Sequence, residues 1–491
     1  MAVPAESPSS IDPAALLARQ RSAFVAEGPP SLQLRKARLA RLRAVVLAHR
    51  RDVEEAVSAD FGHRSRHETA IMELVGVIQA IDYLTRNLRR FMKPQRRHVG
   101  LFYRAGQAHV EYQPLGVIGV MAPWNYPFAL TFIPLATALA AGNRAMLKPS
   151  ELTPRTSEVM RRMLADTFPS EEVAVVLGGP DVGAAFSGLP FDHLLFTGST
   201  QVGRQVMKAA SDNLVPVTLE LGGKSPAIVA RGHVDGRTMS SIVFGKLSNG
   251  GQTCVAPDYA LVHEDDLDAF VAQYDAAVAR FYPDGPTSPD YTSIVSDRHY
   301  DRLKGLVDEA RSRGARVIEA GVNPQGAATR KRTLAPTLIV GAADDTAVMR
   351  EEIFGPILPV RTYRTIDEVV DYVNARPRPL ALYYFGVRDG DCETLLKRTT
   401  SGNVGINNTV LHVAQEDLPF GGVGPSGMGA YHGIEGFRAM SHAKGVFVQG
   451  RWSLPSLLRA PFGKLADMSL AALLGRSREP AGGRIEWSAK R

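Results

Sequence analysis

Residues 116–148 read GVIGVMAPWNYPFALTFIPLATALAAGNRAMLK, and this segment decides the fold class. It begins with the short apolar run Gly116–Met121, which is bounded by turn residues and therefore indicates a buried strand. Pro127–Ala141 is predicted as a helix, and Arg144–Lys148 as the next strand. Strand, helix and strand in this order are the repeating unit of a parallel sheet.

The same alternation continues toward the C-terminus. Three more strands are predicted at Val173–Leu177, His193–Thr197 and Pro216–Glu220. Helices are predicted between them, one capped by Thr153 or Thr156 and running through Leu164, one near Asp181–Phe186, and one at Thr200–Ser211. Five strands alternating with helices predict a doubly wound parallel sheet. Such sheets bind ligands beyond the carboxyl ends of their strands.

A second α/β series follows, and two different segments flank the whole. The series begins at Ser225–Val229 and runs to about Asn407, so a domain boundary is predicted near Gly222 and Gly223. The chain before Met92 is predicted to be helical. The tail, 452–491, carries a broken amphipathic pattern of leucines and then a polar end, and we expect it to pack on the body or on a partner subunit rather than in a membrane.

The composition is that of a soluble globular protein. The 491 residues are 45% hydrophobic and 22% charged, with no apolar run near the ~18 residues of a membrane span. Two cysteines and no evident signal peptide suit the reducing cytoplasm. The net charge of +7 comes without a nucleic-acid-binding motif, so the charge is interpreted as solvated surface that aids the capture of an anionic cofactor.

Cys254 is the first candidate for chemistry. It closes the segment Asn249-Gly-Gly-Gln-Thr-Cys254. An isolated cysteine is more often a small buried hydrophobe, but a glycine-rich turn can expose a thiol for nucleophilic attack. Cys392 lies in a predicted helix and is expected to be buried.

Other polar groups follow the ends of predicted strands. Glu220 is a candidate general base or an ordinary turn partner, and Asn125 a candidate oxyanion donor or a turn residue. The dinucleotide fingerprint GxGxxG is absent, but Gly198–Gly203 opens a helix whose N-terminus can accept a pyrophosphate, unless its glycines serve geometry alone. No His, Cys and Asp cluster has metal-ligand spacing, so no metal site is predicted.

The order of these motifs resembles the aldehyde dehydrogenase superfamily over roughly residues 30–450. The matching segments are Pro123–Pro127, Lys148–Glu151, Phe196–Thr200, Glu220–Lys224, Gly251–Cys254, Glu351–Pro356 and Pro419–Gly427. Gly251–Asp258 and Ser426–Gly433 resemble the class-3 branch, and Leu411–Phe420 is similar to bacterial coniferyl-aldehyde dehydrogenases.

The resemblance implies a role for each matching residue. Cys254 attacks the aldehyde, Asn125 and the backbone N–H of Cys254 hold the oxyanion, and Glu220 activates the water that hydrolyses the thioester. The cofactor-binding residues implied are Trp124, Lys148, Glu151, Gly198, Ser199, Gly203, Glu352 and Phe354. Trp124, Tyr126, Leu411 and His412 are also candidates for the substrate funnel, or else for packing.

The resemblance also implies an organisation and a set of partners. A variant Rossmann domain that binds NAD(P) (1–222, with 408–435 returning to it) precedes a catalytic α/β domain (223–407). Segments 101–112 and 436–450 form a small oligomerisation element of a homodimer. Glu151 favours NAD over NADP, although the branch uses both. The substrate is an aldehyde of the coniferaldehyde type; the alternatives are a broad or aliphatic aldehyde dehydrogenase, an acylating relative, or a non-catalytic protein on the same fold.

Overall fold

The computed structural model describes residues 12–321, 330–451 and 459–475. The chain divides into two compact units, one of Met1–Phe91 with Gln113–His442, the other of Met92–Tyr112 with Ala443–Arg491. Within the described ranges no helix is both long enough and apolar enough to cross a membrane.

The strands, in chain order, are β1 (Gln95–Arg97), β2 (Gln107–Pro114), β3 (Val117–Met121), β4 (Arg144–Lys148), β5 (Val173–Val175), β6 (His193–Thr197), β7 (Val217–Glu220), β8 (Pro226–Val229), β9 (Tyr259–His263), β10 (Arg316–Glu319), β11 (Thr337–Val340), β12 (Ile357–Tyr363), β13 (Ala381–Phe385), β14 (Asn403–Ile406), β15 (Gly427–Met428) and β16 (Ser441–Val448).

The helices, in chain order, are α1 (Pro13–Glu27), α2 (Leu32–Ala48), α3 (Arg50–Phe61), α4 (Arg66–Thr69), α5 (Gly76–Phe91), α6 (Ala129–Ala141), α7 (Pro154–Thr167), α8 (Pro180–Ser187), α9 (Thr200–Ser211), α10 (Gly236–Leu247), α11 (Leu267–Phe281), α12 (Asp297–Ser312), α13 (Ala347–Arg350), α14 (Ile366–Asn374), α15 (Gly390–Arg398), α16 (Gly433–Ala439) and α17 (Lys464–Leu474). A π-helical segment, Ala70–Val75, joins α4 to α5.

The first sheet has the strand order β15-β7-β6-β3-β4-β5. The five strands predicted from the sequence, β3 to β7, are parallel to one another, which confirms the doubly wound sheet. The two-residue strand β15 adds an antiparallel edge, with Gly427 opposite Glu220. Residues 408–435 therefore return to this sheet at one point, while the predicted domain limits stay a prediction.

Helix α6 lies at the centre of the large unit, and its residues are apolar all round, as expected for a buried helix. The expectation for α7 was wrong in one respect. Thr153 occupies the N-cap position, as one of the two candidates, but its side chain makes no capping hydrogen bond; the carboxylate of Asp60 on α3 accepts the N–H groups of Arg155 (3.1 Å) and Thr156 (2.8 Å). A cap supplied by a distant helix has no local sequence pattern.

The second sheet has the order β10-β11-β12-β9-β8-β13-β14 and is parallel except for the β10–β11 pair. The chain passes from the first sheet to the second between Glu220 and Pro226, at the predicted glycine pair. Cys392 lies on α15 with no exposed surface, as expected.

The small unit contains a three-stranded sheet of order β1-β2-β16 and the helix α17. Four of the predicted tail leucines and Met468 lie on α17 and are exposed. Leu454, Leu457 and Leu458 lie outside the described residues.

Candidate active site

The carboxyl ends of four parallel strands meet at one edge of the first sheet. Asn125 follows β3, Lys148 ends β4, Gly198 follows β6 and Glu220 ends β7. A cavity of about 250 Å³ opens there; its lining includes Trp124, Asn125, Gly198, Ser199, Glu220, Cys254, Glu352 and Phe354. Eight of the eleven predicted site residues therefore share one cleft, at the place where a doubly wound sheet binds its ligand.

A left-handed turn presents Cys254 to this cleft. Asn249, Gly250 and Gly251 have φ angles of 55°, 60° and 77°, a conformation that L-residues with a Cβ rarely adopt. A Cβ on Gly251 would overlap the backbone of Gly355 and approach the carbonyl oxygen of Lys246 within 2.9 Å. The glycines therefore serve both the backbone angle and close packing.

The side chain of Gln252 anchors the turn from inside. Its Nε2 donates to the carbonyl oxygens of Asn249 (2.7 Å) and Ser293 (3.1 Å), and its Oε1 accepts the N–H of Val295 at 2.9 Å. Gln252 has no exposed surface. The predicted turn is thus a rigid support for the thiol two residues later.

Cys254 is half-buried, and its environment opposes the thiolate. Burial, followed by the carboxyl groups of Glu352 and Glu220, raises the pKa of the thiol to about 12, while the N–H groups of Cys254 and Val255 lower the pKa. The accessible position expected from the sequence is present, but the thiol is protonated at neutral pH in this state. Nucleophilic chemistry here requires that a base remove the proton.

The Asn125 side chain points to the same turn. Its Nδ2 donates to the carbonyl oxygen of Gln252 at 3.1 Å, which leaves its second N–H for another acceptor. The backbone carbonyl of Asn125 accepts from Nδ2 of Asn249 (2.9 Å) and Nη1 of Arg64 (3.3 Å). Asn125 is thus fixed through its side chain and its backbone, and it lines the same cleft as Cys254, which is consistent with the expected role of an oxyanion donor.

Glu220 is a buried carboxyl group without a protein partner. It is 2% exposed, and neither carboxylate oxygen has a hydrogen-bond partner among the described residues. Burial raises its pKa well above the usual range. A raised pKa makes the ionised carboxylate a stronger base than an exposed one, and Glu220 lines the same cleft as Cys254, which favours the general-base interpretation over that of a turn partner.

Glu352 and Phe354 form another wall of the cleft. A Cβ on Gly222 would overlap the carboxylate of Glu352, so the glycine makes room for that side chain. Burial and then Asp258 raise the pKa of Glu352 to about 8. Phe354 has a φ of 55°, which is strained for an aromatic residue, and strain of this kind concentrates at functional sites.

A buried ion pair fixes the segment that carries this wall. Nζ of Lys224 contacts the Asp258 carboxylate and donates to the carbonyl of Glu351 at 2.8 Å, and Asp258 Oδ1 accepts the N–H of Ile353 at 2.9 Å. Residues on both sides of Glu352 are therefore held by charge-assisted hydrogen bonds.

The other predicted cofactor residues divide into two groups. Gly198 and Ser199 lie at the N-terminus of the twelve-residue helix α9, where Ser199 Oγ accepts the N–H of Val202 at 3.3 Å. Gly203 is one turn further along, and a Cβ there would approach Leu221 within 2.7 Å, so it serves helix packing in this structure. Lys148 and Glu151 form an ion pair of 3.1 Å outside the cleft lining.

The residues present fit a dinucleotide. The N-terminus of α9 suits a pyrophosphate, and the same cleft contains Glu220, neither of whose carboxylate oxygens has a hydrogen-bond partner among the described residues. A polar group of a bound ligand at this point would offset the cost of burying that carboxyl group.

Sequence reasoning missed two residues on α12. His299 packs edge-on against Trp124 with ring centroids 5.0 Å apart, and Arg302 donates to the carbonyl of Glu352 at 3.3 Å. Both line the cleft. They lie on a helix that begins more than 40 residues after Cys254, so no motif near Cys254 indicates that they line the cleft.

Sequence reasoning also missed the residues near the N-terminal helices that support the segment around Asn125. Arg64, on the loop after α3, is fully buried and pairs with Glu73 at 2.8 Å. The other oxygen of Glu73 accepts the N–H groups of Phe128 (2.7 Å) and Ala129 (3.1 Å) at the start of α6. This pair therefore fixes the carbonyl of Asn125, through Arg64, and the start of α6 that follows it, through Glu73.

The candidates for the substrate funnel differ in exposure. The Tyr126 hydroxyl is 2.8 Å from Thr253 Oγ1, next to Cys254. Leu411 is exposed, whereas the adjacent His412 is buried.

Comparison with known proteins identifies the family. The aldehyde dehydrogenase family model matches residues 1–446. The chain is 48% identical to a coniferyl aldehyde dehydrogenase of a Pseudomonas species, over 93% of this chain and 95% of that protein. A substrate-bound AldH of Staphylococcus aureus has a TM-score of 0.87 and 35% identity, over 94% of this chain and 99% of the other. A Mycobacterium tuberculosis aldehyde dehydrogenase complexed with NAD+ has a TM-score of 0.79 and 29% identity, over 89% and 90%. With this cleft, and with these similarities over most of its length, the chain belongs to the aldehyde dehydrogenase family.

Proposed function

We propose that this aldehyde dehydrogenase oxidises an aromatic aldehyde of the coniferaldehyde type to the carboxylic acid, with Cys254 as nucleophile, Asn125 as oxyanion donor and Glu220 as base. The family acts on small-molecule aldehydes with a nicotinamide cofactor. The observation that carries the mechanism is the meeting of these three side chains in one cleft.

In the first step, Cys254 Sγ loses its proton to a nearby carboxyl group and bonds to the aldehyde carbon, giving a thiohemiacetal. The second N–H of Asn125 Nδ2 and the backbone N–H of Cys254 stabilise the oxyanion that forms. The nicotinamide, when bound, supplies the hydride acceptor. Glu220 then takes a proton from water, the resulting hydroxide adds to the thioester carbon, and the C–S bond breaks, which releases the carboxylic acid and leaves Cys254 as a thiolate.

The presence of Glu220 supports water as the final acceptor. An acylating enzyme transfers the thioester to coenzyme A and has no need of a buried base to activate water. The Pseudomonas relative supports the substrate class, because its name is coniferyl aldehyde dehydrogenase and it matches this chain over nearly its whole length.

For the cofactor we propose NAD. Glu151 is exposed and lies beyond β4, where its charge would hydrogen-bond a ribose hydroxyl and repel a 2′-phosphate. Its ion pair with Lys148 leaves one carboxylate oxygen for that hydroxyl. Comparing kcat/KM for NAD and NADP in wild type and in Glu151→Gln tests this: the variant should gain on NADP relative to NAD, and an unchanged ratio contradicts the assignment.

The decisive experiment uses three enzymes and coniferaldehyde. Cys254→Ala should abolish turnover while retaining NAD binding measured by calorimetry. Glu220→Gln should retain a pre-steady-state burst of NADH and lose steady-state turnover by at least about a hundredfold, in the range of general-base removal. Cys392→Ala is the matched control, since its thiol is buried on α15, and it should keep both phases.

Substantial turnover in Cys254→Ala would refute the nucleophile. Loss of the burst in Glu220→Gln in proportion to the steady state would mean that Glu220 acts before thioester hydrolysis. Addition of coenzyme A to the wild type should yield no acyl-thioester, and its formation would favour the acylating reaction.

We also infer a homodimer formed through segments 101–112 and 436–450. Most of β2 and all of β16 lie in these segments. Light scattering should give twice the chain mass, and a monomer at micromolar concentration contradicts the inference.

A further inference from the structure

A cluster of five rings lies beside the catalytic residues and contributes nothing to the cleft lining. Its members are Tyr383, His412, Phe420, Tyr431 and His432. Ring centroids are 5.8 Å apart for Tyr383 and His412, and 5.0 Å apart for Phe420 and His432. All five residues belong to the large unit.

Two of these rings connect the cluster to the nucleophile. The Tyr383 hydroxyl donates to the carbonyl of Val255 at 2.5 Å, directly after Cys254. The pKa of Tyr431 is raised by burial and then by Glu220 and Cys254, which places its hydroxyl within electrostatic range of both. The cluster is therefore linked to the segment of Cys254 through Tyr383 and Tyr431, while none of its rings is among the residues that line the cleft.

The two histidines are unusual because neither has a hydrogen-bond partner among the residues that the structure describes. His412 is 8% exposed and His432 1% exposed, and none of their four ring nitrogens has a hydrogen-bond partner among the described residues. Burial lowers the pKa of each to about 4, so both rings are neutral at pH 7. Each neutral ring offers one N–H donor and one acceptor nitrogen. Four unpaired polar atoms in the interior are expensive unless a ligand uses them.

The backbone holds His412 in place at the expense of strain. Val410 has a φ of 63°, which is an outlier for a β-branched residue. Thr409 Oγ1 donates to the carbonyl of Ser241 at 2.5 Å, and a Cβ on Gly245 would overlap Thr409. A strained turn that is anchored on α10 and sets a buried polar ring has the character of a binding site.

We propose that His412 and His432 form a hydroxyl-binding subsite that selects aromatic aldehydes carrying a ring hydroxyl group. This deepens the proposed function and rests on it. A phenol O–H donates to one acceptor nitrogen while its oxygen accepts from one imidazole N–H. The second N–H is free for an adjacent ether oxygen, and Phe420 and Tyr431 supply apolar faces for the ring.

The test compares two aldehydes of equal length, 4-hydroxycinnamaldehyde and cinnamaldehyde. The measured quantity is the ratio of their kcat/KM values with NAD. The intrinsic reactivity of each aldehyde is the same for every enzyme, so a change of ratio between enzymes reports recognition of the hydroxyl. We expect His412→Phe and His432→Phe each to lower the ratio by about tenfold, in the range of a lost hydrogen bond to a substrate hydroxyl.

Phe420→Leu is the matched control, because Phe420 belongs to the cluster but carries no polar atom. It should reduce kcat/KM for both aldehydes equally and leave the ratio unchanged. His412→Gln and His432→Gln keep a donor and an acceptor, so they should retain part of the ratio and guard against variants that fail to fold.

If both phenylalanine variants keep the wild-type ratio of the two kcat/KM values, the subsite is refuted, because the imidazoles then bind water and not the substrate hydroxyl. If the wild type oxidises cinnamaldehyde and no variant changes the ratio, the subsite is refuted but the proposed function is not. Wild type that oxidises neither aldehyde overturns the proposed function itself.

Discussion

Replacement of Asn125 by alanine separates a catalytic role from a structural one. The Asn125 amide makes one hydrogen bond to the protein, to the carbonyl oxygen of Gln252 at 3.1 Å. That oxygen also accepts from Asn249 Nδ2 at 3.1 Å, so the variant leaves it paired. The backbone carbonyl of residue 125 keeps its bonds to Arg64 and Asn249, because the substitution does not touch them. The turn that carries Cys254 should therefore persist.

Catalysis should fall much further than stability. Loss of one oxyanion-hole donor costs about 2.7–4 kcal/mol, or roughly 10²–10³-fold in kcat. Loss of one neutral hydrogen bond costs the fold only about 0.5–1.5 kcal/mol. The backbone N–H of Cys254 remains as the second donor, so measurable activity should survive.

The assay combines single-turnover formation of NADH with urea denaturation. Asn249→Ala is the structural control: it removes the amide that bridges the Asn125 and Gln252 carbonyls, and it should destabilise the fold more than Asn125→Ala does. An Asn125→Ala enzyme within tenfold of wild type in single-turnover rate, with unchanged stability, would refute the oxyanion assignment.

Three further predictions concern groups with perturbed surroundings. The pKa of Cys254 is raised to about 12 and that of Glu220 is also raised, so the fraction of each group in its reactive ionised form increases with pH. We therefore expect kcat/KM to increase from pH 7 toward pH 10. A flat profile would show that the thiolate is already formed at pH 7. Gly222→Ala should displace the Glu352 side chain, because the new Cβ would overlap its carboxylate, and should raise KM for NAD by about tenfold, the scale of an overpacked contact. An unchanged KM would mean that Glu352 does not contact the cofactor. Arg64→Met leaves a buried carboxylate unpaired and should lower the free energy of unfolding by about 3–5 kcal/mol in urea titrations; a neutral effect would show that its partner is protonated.

Local patterns were sufficient for the elements of the first sheet. The strands Arg144–Lys148 and His193–Thr197 and the helix Thr200–Ser211 have the predicted limits, because an apolar run between turn residues has few alternatives as a buried strand. The cap of α7 could not be predicted in this way, since Asp60 lies more than 90 residues before the N–H groups that it binds.

The sequence by itself determined which residues could do chemistry: a glycine-flanked thiol at 254, a carboxylate at 220 and an amide at 125, each at or just past the end of a predicted strand or turn. Only the tertiary structure decided how those groups behave. Parallel strands bring Asn125 and Glu220 to one edge, and burial there moves proton affinities that no motif encodes. The turn at Asn249–Gly251 depends in the same way on neighbours far along the chain, and so does the burial of His412 and His432. Hydrogen bonding and desolvation act through space, so pairs such as Arg64 with Glu73, and Arg302 with Glu352, exist only once the chain has folded.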